Sequence, residues 1–482
     1  MIPFFVGLLY GEITMADNLV KAFLFPGVFT IVVGIIIRKI TARHDMRLKD
    51  TMAICALGWV MYSVIGAYPY VVILDIPYLN AVFETMSGFT TTGITLLTGL
   101  DTMPRSILFW RAFTQWVGGL GILSMFIFIG FKGGAAASKL FSAESHKISS
   151  SQPHPGIYNT VKTFWMLYIF LSIAQIAVLL FLGVGFFDAL THTFTTLSTG
   201  GFSIYDSSIL HYRQAGFANF NYIELVYMVF MFMGGLNFFI HFNIFSGNIK
   251  SLWEDTEART YLMIILGGTG LIFLSYALRN GIGYHAGEQV YTGLKGILYN
   301  VKDTAFQVTA LVSNTGYLIR GNLSSAYFTP FARQIFLVFM VVGGCSGSTS
   351  GGFKIIRVVT LFKTVKSRLF KLNTSYLAQV PVTIKNKIIK NDEIRRIVVI
   401  FFMWLVFLVV GGGITAFFSD LSGWASFSGM FSALGNVGPS YISVEEMIAL
   451  HPAVKVTYIV GMLAGRLEII PVIILFSGKF YK

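Results

Sequence analysis

Nine near-continuous apolar stretches of about 17 to 25 residues divide this chain, near 19–38, 52–73, 107–131, 163–185, 222–245, 260–278, 327–343, 395–418 and 453–476. A helix of that length covers the roughly 30 Å of hydrocarbon in a bilayer and satisfies its own backbone while doing so. Only 12% of the residues are charged and 55% are apolar, and the mean hydropathy is +0.71. These values lie outside the range of water-soluble globular chains, so a multi-pass membrane protein is expected. A further apolar piece, Ile2 to Tyr10, is too short to span. It also lacks a charged start followed by a small-residue cleavage site, so it is not read as a signal peptide.

The net charge of +13 is distributed as topology rather than as a nucleic-acid surface. Basic residues gather in alternate loops, at 38–49, 132–162, 250–259 and 354–396 and at the C-terminus, with eleven of the 35 in 354–396. The positive-inside rule places these in the cytoplasm, so loops with Asp75, Asp101, Asp206, Glu288, Asp420, Glu445 and Glu446 face outward. An acidic outer mouth raises the local cation concentration modestly at physiological salt; ordinary loop solvation accounts for the same residues equally well.

Residue chemistry argues against an enzyme. Cys55 and Cys345 form no redox or metal motif, and the eight histidines lack the i, i+4 spacing of a helical zinc site. The run GGCSGSTSGGFK lacks the Gly-Lys-Ser/Thr ending of a phosphate loop. An intramembrane enzyme would need a His, Glu or Asp constellation inside the spans, and none is offered.

What the chain does offer is a break repeated four times: Thr91-Thr92-Gly93, Ser198-Thr199-Gly200, Asn314-Thr315-Gly316 and Asn436-Val437-Gly438. Glycine takes positive φ, so consecutive carbonyls can be aimed at one axis, and a stiff β-branched neighbour packs its side chain away from that axis. One such tripeptide is an ordinary turn. Four, each between two apolar stretches and roughly 105 to 125 residues apart, are too far apart for a solenoid and fit a unit of two spanning helices. Before each glycine runs a shorter segment: LNAVFETMSGFTT, DALTHTFTTLST, DTAFQVTALVSNT and SFSGMFSALGN. As half-helices these enter the membrane and stop, which is tolerated at depth only where the broken backbone lines a wet cavity. Their C-terminal ends then direct partial negative charge inward, favouring a cation.

All four units begin and end on the cytoplasmic side, so they share one orientation and can surround one axis. The expected fold is an all-α membrane protein with four helix, pore-loop, helix repeats around a pseudo-fourfold pore and an extra N-terminal helical segment. The boundaries read as 1–50 for that segment, 51–135, 155–250, 257–371 with an interrupted second helix, and 393–482. Incidental glycines at helix ends of an ordinary polytopic protein are the alternative. Inverted-repeat carriers also use broken helices, but in opposite orientations.

These residues resemble the Trk/Ktr/HKT superfamily of potassium transporters, and within it TrkH. The resemblance is carried by TTTGIT, STGGFS, SNTGY and GNVGPS at the four breaks, and by FWRAFTQWVGGLGIL, GGCSGSTSGGFKIIR and GMLAGRLEI elsewhere. It covers nearly everything from about residue 51 onward. The N-terminal segment fits TrkH better than KtrB, although one helix and a stub stand where TrkH usually has two complete helices. The resemblance implies potassium as the transported ion at the filter residues named above, with no covalent cofactor, in the plasma membrane of a prokaryotic cell. Carbonyl rings of this kind are familiar from the TVGYG loops of potassium channels. Here Ile94, Gly201, Tyr317 and Pro439 follow the four glycines, and the second channel glycine is absent, implying fewer dehydrating sites and weaker selectivity. Glycine at all four positions goes with potassium passage in the family.

The second helix of the third unit is interrupted by Gly343, Gly344, Cys345, Ser346, Gly347, Ser348, Thr349, Ser350, Gly351 and Gly352, too glycine-rich to stay helical. Such a segment either forms a movable barrier below the filter or makes a close small-residue helix contact. The resemblance, in which this loop acts as a gate, favours the first. Arg466 stands in the last apolar stretch, where a charge at depth costs at least about 2.5 kcal/mol unless it faces water or a partner. Glu468, two places on, points elsewhere on a helix. In the family the matching arginine lies beneath the filter and hinders flow; an ion pair with another helix is the other reading.

The basic stretch Lys354 to Arg396, with Lys363, Lys366, Arg368, Lys371, Lys385, Lys387 and Lys390, serves as topology signal and headgroup contact, or as a dock. TrkH-like proteins pair with a cytosolic nucleotide-binding regulator, TrkA, so a partner resembling it is expected, beside a homodimer and the bilayer itself. The leading functional reading is a cation conductor opened by that regulator. The alternative is a symporter coupled to sodium or protons, for which Glu84 and Asp303 are the acidic candidates. Capping or anchoring of a half-helix is the preferred role for both.

Overall fold

The computed structural model describes residues 1–40, 48–132, 157–281, 283–286, 289–374, 380–384, 387–469 and 471–473. Arg43, Arg47, Lys139, Lys147, Glu288, Lys385 and the end of the last apolar stretch lie outside the described residues. Among those described, five helices are long and apolar enough to cross a membrane: Glu12–Ile40, Met52–Leu74, Thr160–Phe181, Thr256–Asn280 and Asn391–Phe417. A sixth counts if Phe220–Gly235 and Phe238–Phe245, bent by 106°, form one span. Phe29, Ile35, Phe170, Ile173, Leu266 and Val409 stand exposed on these helices, as expected where lipid rather than water is the solvent.

The order of elements repeats four times. A long helix leads to a shorter one, then to an extended segment, then to a second helix. The shorter helices are Tyr78–Phe89, Phe186–Leu197, Gly293–Val312 and Gly423–Gly435. The helices that follow them are Arg105–Lys132, the bent pair, Pro330–Val341 with Ile355–Leu372, and Pro452–Arg466. Local sequence chemistry sets several starts. Ser422 Oγ accepts from Ala425 N, and Thr329 Oγ1 accepts from Ala332 N with Pro330 at the first helical position, where its missing N–H costs nothing. The only sheet among the described residues is two short antiparallel hairpins, Tyr284–Ala286 with Gln289–Tyr291 and Thr383–Ile384 with Lys387–Ile388.

Three expectations need correction. The stretch 222–245 is not one helix: Gly234 and Gly235 end the first piece, Leu236 is extended, and Asn237 restarts the chain by accepting from Phe239 N. The freed backbone groups are satisfied by the glycine-rich loop of the third unit. Gly235 O accepts from Cys345 N at 2.9 Å, and Phe238 N donates to Gly347 O at 3.1 Å. The last apolar stretch stops being helical at Arg466, because Glu468 and Ile469 take left-handed φ of 65° and 67°. The third half-helix is 20 residues long, and it packs against the paired strands Tyr284–Ala286 and Gln289–Tyr291.

Candidate functional site

The four half-helices end in the same way. A residue takes left-handed φ, one residue follows, and a glycine takes left-handed φ again. The first residues are Thr91 (φ 51°), Thr199 (54°), Asn314 (62°) and Asn436 (52°); the glycines are Gly93 (86°), Gly201 (72°), Gly316 (77°) and Gly438 (103°). The hydrogen bonds repeat with them: Thr91 N to Gly88 O at 3.0 Å, Thr199 N to Thr196 O at 2.9 Å, Asn314 N to Leu311 O at 3.1 Å and Asn436 N to Ala433 O at 3.3 Å. In the second copy the equivalent triplet is therefore Thr199-Gly200-Gly201, one place later than Ser198-Thr199-Gly200. Ser198 is the residue that closes the half-helix, with φ −72°, and the residue following the ring glycine is Phe202 rather than Gly201.

The four turns interlock in chain order. A Cβ added to Gly93 would collide with Gly200 O, one on Gly201 with Thr315 O, and one on Gly316 with Val437 O. On Gly438 it would lie 3.0 Å from Thr92 O, which closes the ring. Each glycine of one copy thus abuts the carbonyl of the middle residue of the next, and no side chain fits between them. Gly93, Gly201, Gly316 and Gly438 all line one cavity of about 380 Å³. Asp206 and Glu445 line it too. Asp206 is partly committed, accepting from Gly99 N at 2.9 Å and Leu100 N at 3.2 Å. Glu446 caps the helix Val444–Ala449.

The side chains of the turns are held by one another. Thr92 Oγ1 lies 2.8 Å from Thr90 Oγ1 and accepts from Asn436 Nδ2 at 2.8 Å. Asn314 Nδ2 donates to Gly435 O at 2.7 Å, and Thr315 Oγ1 lies 2.9 Å from Ser313 Oγ. Each half-helix also uses one polar residue to hold the chain returning from the ring. Glu84 accepts from Leu96 N at 2.9 Å, His192 Nε2 lies 3.1 Å from Ser203 Oγ, Gln307 Nε2 donates to Tyr317 O at 3.3 Å, and Ser428 Oγ accepts from Tyr441 N at 2.9 Å.

Glu84 is also salt-bridged to Arg111 at 2.9 Å, and both are buried. Asp303 bonds Arg213 at 3.0 Å, Arg320 at 2.8 Å and Tyr284 Oη at 2.8 Å, while Glu224 pairs with Arg213 and Lys302. Both acidic candidates anchor half-helices. Their basic partners escaped the sequence reading, although Arg111 stands inside an apolar run just as Arg466 does.

Behind the half-helix ends lies the glycine-rich loop. It leaves and returns beside itself, with Phe353 N donating to Val341 O at 3.0 Å and Gly343 N to Phe353 O at 3.0 Å. Ser350 Oγ donates to Asn314 Oδ1 at 2.6 Å and accepts from Gly344 N at 2.8 Å. Thr349 Oγ1 donates to Leu197 O at 2.7 Å, and Gly351 packs so closely on Asn436 that a Cβ there would come within 2.6 Å of it. The loop thus touches the ends of the second, third and fourth half-helices. Arg466 joins it to the first unit: Nη1 donates to Thr349 O at 2.6 Å and Nη2 to Gly118 O at 3.2 Å. Arg466 is 2% exposed, and no ion pair to it occurs among the described residues. Glu468 pairs instead with Arg357. The loop thus stands against the C-terminal ends of three half-helices, each with its partial negative charge.

A family model described as TrkH, cation transport protein, matches residues 20–482. The Trk system potassium uptake protein TrkH of Escherichia coli strain K12 is 30% identical over 450 residues, spanning 91% of this chain and 87% of that protein. An uncharacterized cation transporter of Methanocaldococcus jannaschii is 29% identical over 487 residues, spanning 100% of this chain and 92% of that protein. The crystal structure of the potassium transporter TrkH from Vibrio parahaemolyticus matches with a TM-score of 0.77 at 28% identity, over 100% of this chain and 99% of that one. With a ring of four interlocked turns between membrane-length helices and a match to residues 20–482, the chain belongs to the TrkH family of cation transport proteins.

Proposed function

We propose that this chain passes potassium across the cell membrane of a prokaryote through the ring at Thr91-Thr92-Gly93, Thr199-Gly200-Gly201, Asn314-Thr315-Gly316 and Asn436-Val437-Gly438, and that four units at 51–135, 155–250, 257–371 and 393–482 build it. The observation that carries the proposal is the interlock: four glycines, each against the next copy's carbonyl, leave no room for a side chain between the copies and bring backbone oxygens together in one ring. Such a ring replaces part of the hydration shell of a cation. Potassium rather than another cation is supported by the names of the related Escherichia coli and Vibrio parahaemolyticus proteins.

Residues 343–352 and Arg466 form the gate below the ring. Passage is channel-like, down the electrochemical gradient. Glu84 and Asp303 support this over coupling to sodium or protons, since both carboxylates are buried among basic partners and neither is free to take up a second ion. The gate opens through a cytosolic nucleotide-binding regulator that docks on the basic stretch from Lys354 to Arg396, at its residues beyond the buried Lys354 and Arg357, and the working assembly is a homodimer. The test is flux in proteoliposomes under an imposed voltage, comparing potassium with sodium and with no counter-ion gradient. Potassium flux without coupling is expected; no potassium flux with or without the regulator would overturn the proposal.

A further inference from the structure

The ring has one irregular member, and a side chain from a different unit stands where it departs from the others. The middle position is Thr92, Thr315 and Val437 in three copies, each β-branched and each stiff at χ1. In the second copy it is Gly200, followed by Gly201, so two conformationally free residues occur in a row. Gln115, fully buried in the helix Arg105–Lys132 of the first unit, fills the space. Its Nε2 donates to Gly200 O at 2.8 Å, and its Oε1 accepts from Phe202 N at 3.1 Å. The amide thus brackets Gly201 from both sides, making the two bonds that a neighbouring strand would make. A Cβ on Gly200 would lie 2.5 Å from Gln115 Oε1 and 2.7 Å from Nε2. Gln115 and a side chain at position 200 therefore exclude each other.

We propose that Gln115 is a positioning and selectivity-determining residue: it supplies from the first unit the rigidity that the second copy lacks, and fixes the direction of the Gly200 carbonyl. This rests on the reading of the ring as a potassium filter. A buried amide with two good bonds is costly to lose, because both backbone partners then stand unsatisfied at the ring. Selectivity responds most, since it depends on the spacing of the carbonyls rather than on whether the pathway exists.

The test is the potassium-to-sodium flux ratio in proteoliposomes for Gln115→Ala, Gly200→Thr and the double variant, each checked for a monodisperse profile in detergent. Gln115→Ala is expected to lower the ratio about tenfold while potassium flux persists. Gly200→Thr alone is expected to lose flux through the clash with Gln115. The double variant is expected to recover both, because a β-branched residue then occupies the vacated space. Where Gln115→Ala fails to fold, Gln115→Met keeps the volume without the bonds and carries the same expectation. An unchanged ratio in a folded Gln115 variant, or a double variant no better than the worse single one, overturns the inference. Wild-type protein that passes no potassium overturns the filter reading itself, a result visible before any variant is compared.

Discussion

Replacing Arg466 with alanine should raise potassium flux in the absence of any regulator. The guanidinium makes two hydrogen bonds, to Thr349 O at 2.6 Å and Gly118 O at 3.2 Å, and its Nε stays buried without a partner among the described residues. Only the first bond reaches the loop, so only that bond distinguishes a closed loop from a displaced one. A hydrogen bond to a charged group contributes about 1.5 to 3 kcal/mol net, which predicts a shift of about 10- to 150-fold toward the displaced loop. Removing a fixed positive charge from beneath the ring works in the same direction, since a like charge repels an arriving cation. The variant also relieves the cost of an unpaired buried charge, so the protein should remain folded. Arg466→Lys separates the two effects: it keeps the charge but not the two-carbonyl reach, and its flux should fall between wild type and Arg466→Ala. The assay is potassium flux into proteoliposomes at matched protein content. Flux no higher in Arg466→Ala than in wild type would refute the assignment of this residue to the barrier.

Gly201→Ala should abolish selective potassium flux, because alanine at φ 72° is strained and its Cβ runs into Thr315 O. Gly413→Ala, in open space within the helix Asn391–Phe417, should leave flux unchanged. Equal effects of the two would argue against the ring. Glu84→Gln leaves Arg111 buried opposite an uncharged partner, and should lower stability by about 3 to 5 kcal/mol, read as a fall in the thermal unfolding midpoint in detergent. The protein that remains folded should still show uncoupled flux; loss of a proton- or sodium-driven component would place Glu84 in a coupling site instead.

The sequence displayed the membrane class, the repeat and the interrupted helix plainly, because each depends on composition or on glycine density over ten residues or more. What it concealed depended on single residues and on contacts made across the fold. Gly200-Gly201 offers two possible ring glycines, and only the place where the half-helix stops, at Ser198, chooses between them. The break at Leu236 is masked by the apolar run around it, and it exists because Cys345 and Gly347, more than a hundred residues later, take up the backbone groups it frees. Gly465 and Pro471 flank the end of the last helix, but it is Glu468, paired with Arg357, and Ile469 that take the left-handed φ, and the sequence marks neither of them. Gln115 reads as one polar residue in an apolar run until its partners Gly200 and Phe202 are placed beside it.

The number of contacts on the loop bears on how the gate can work. Besides Arg466, the bonds Ser350 to Asn314, Thr349 to Leu197, Cys345 to Gly235, Phe238 to Gly347 and Ser346 N to Glu257 Oε1 tie it to its neighbours. At about 1 kcal/mol net for each neutral bond, and about 1.5 to 3 kcal/mol for the two to the charged Arg466 and Glu257, displacing the whole loop costs about 7 to 10 kcal/mol. A partner must then bind the open form about 10⁵- to 10⁷-fold more tightly than the closed one merely to bring the two into balance. Linkage makes this reciprocal: whatever loosens the loop must tighten the partner's binding by the same factor. Ser350→Ala removes the tie to Asn314 and should raise both basal flux and regulator affinity about fivefold. Flux can be measured in proteoliposomes and affinity by calorimetry on the same preparation. A variant that raises flux while leaving regulator affinity unchanged would mean that the regulator acts somewhere other than on this loop.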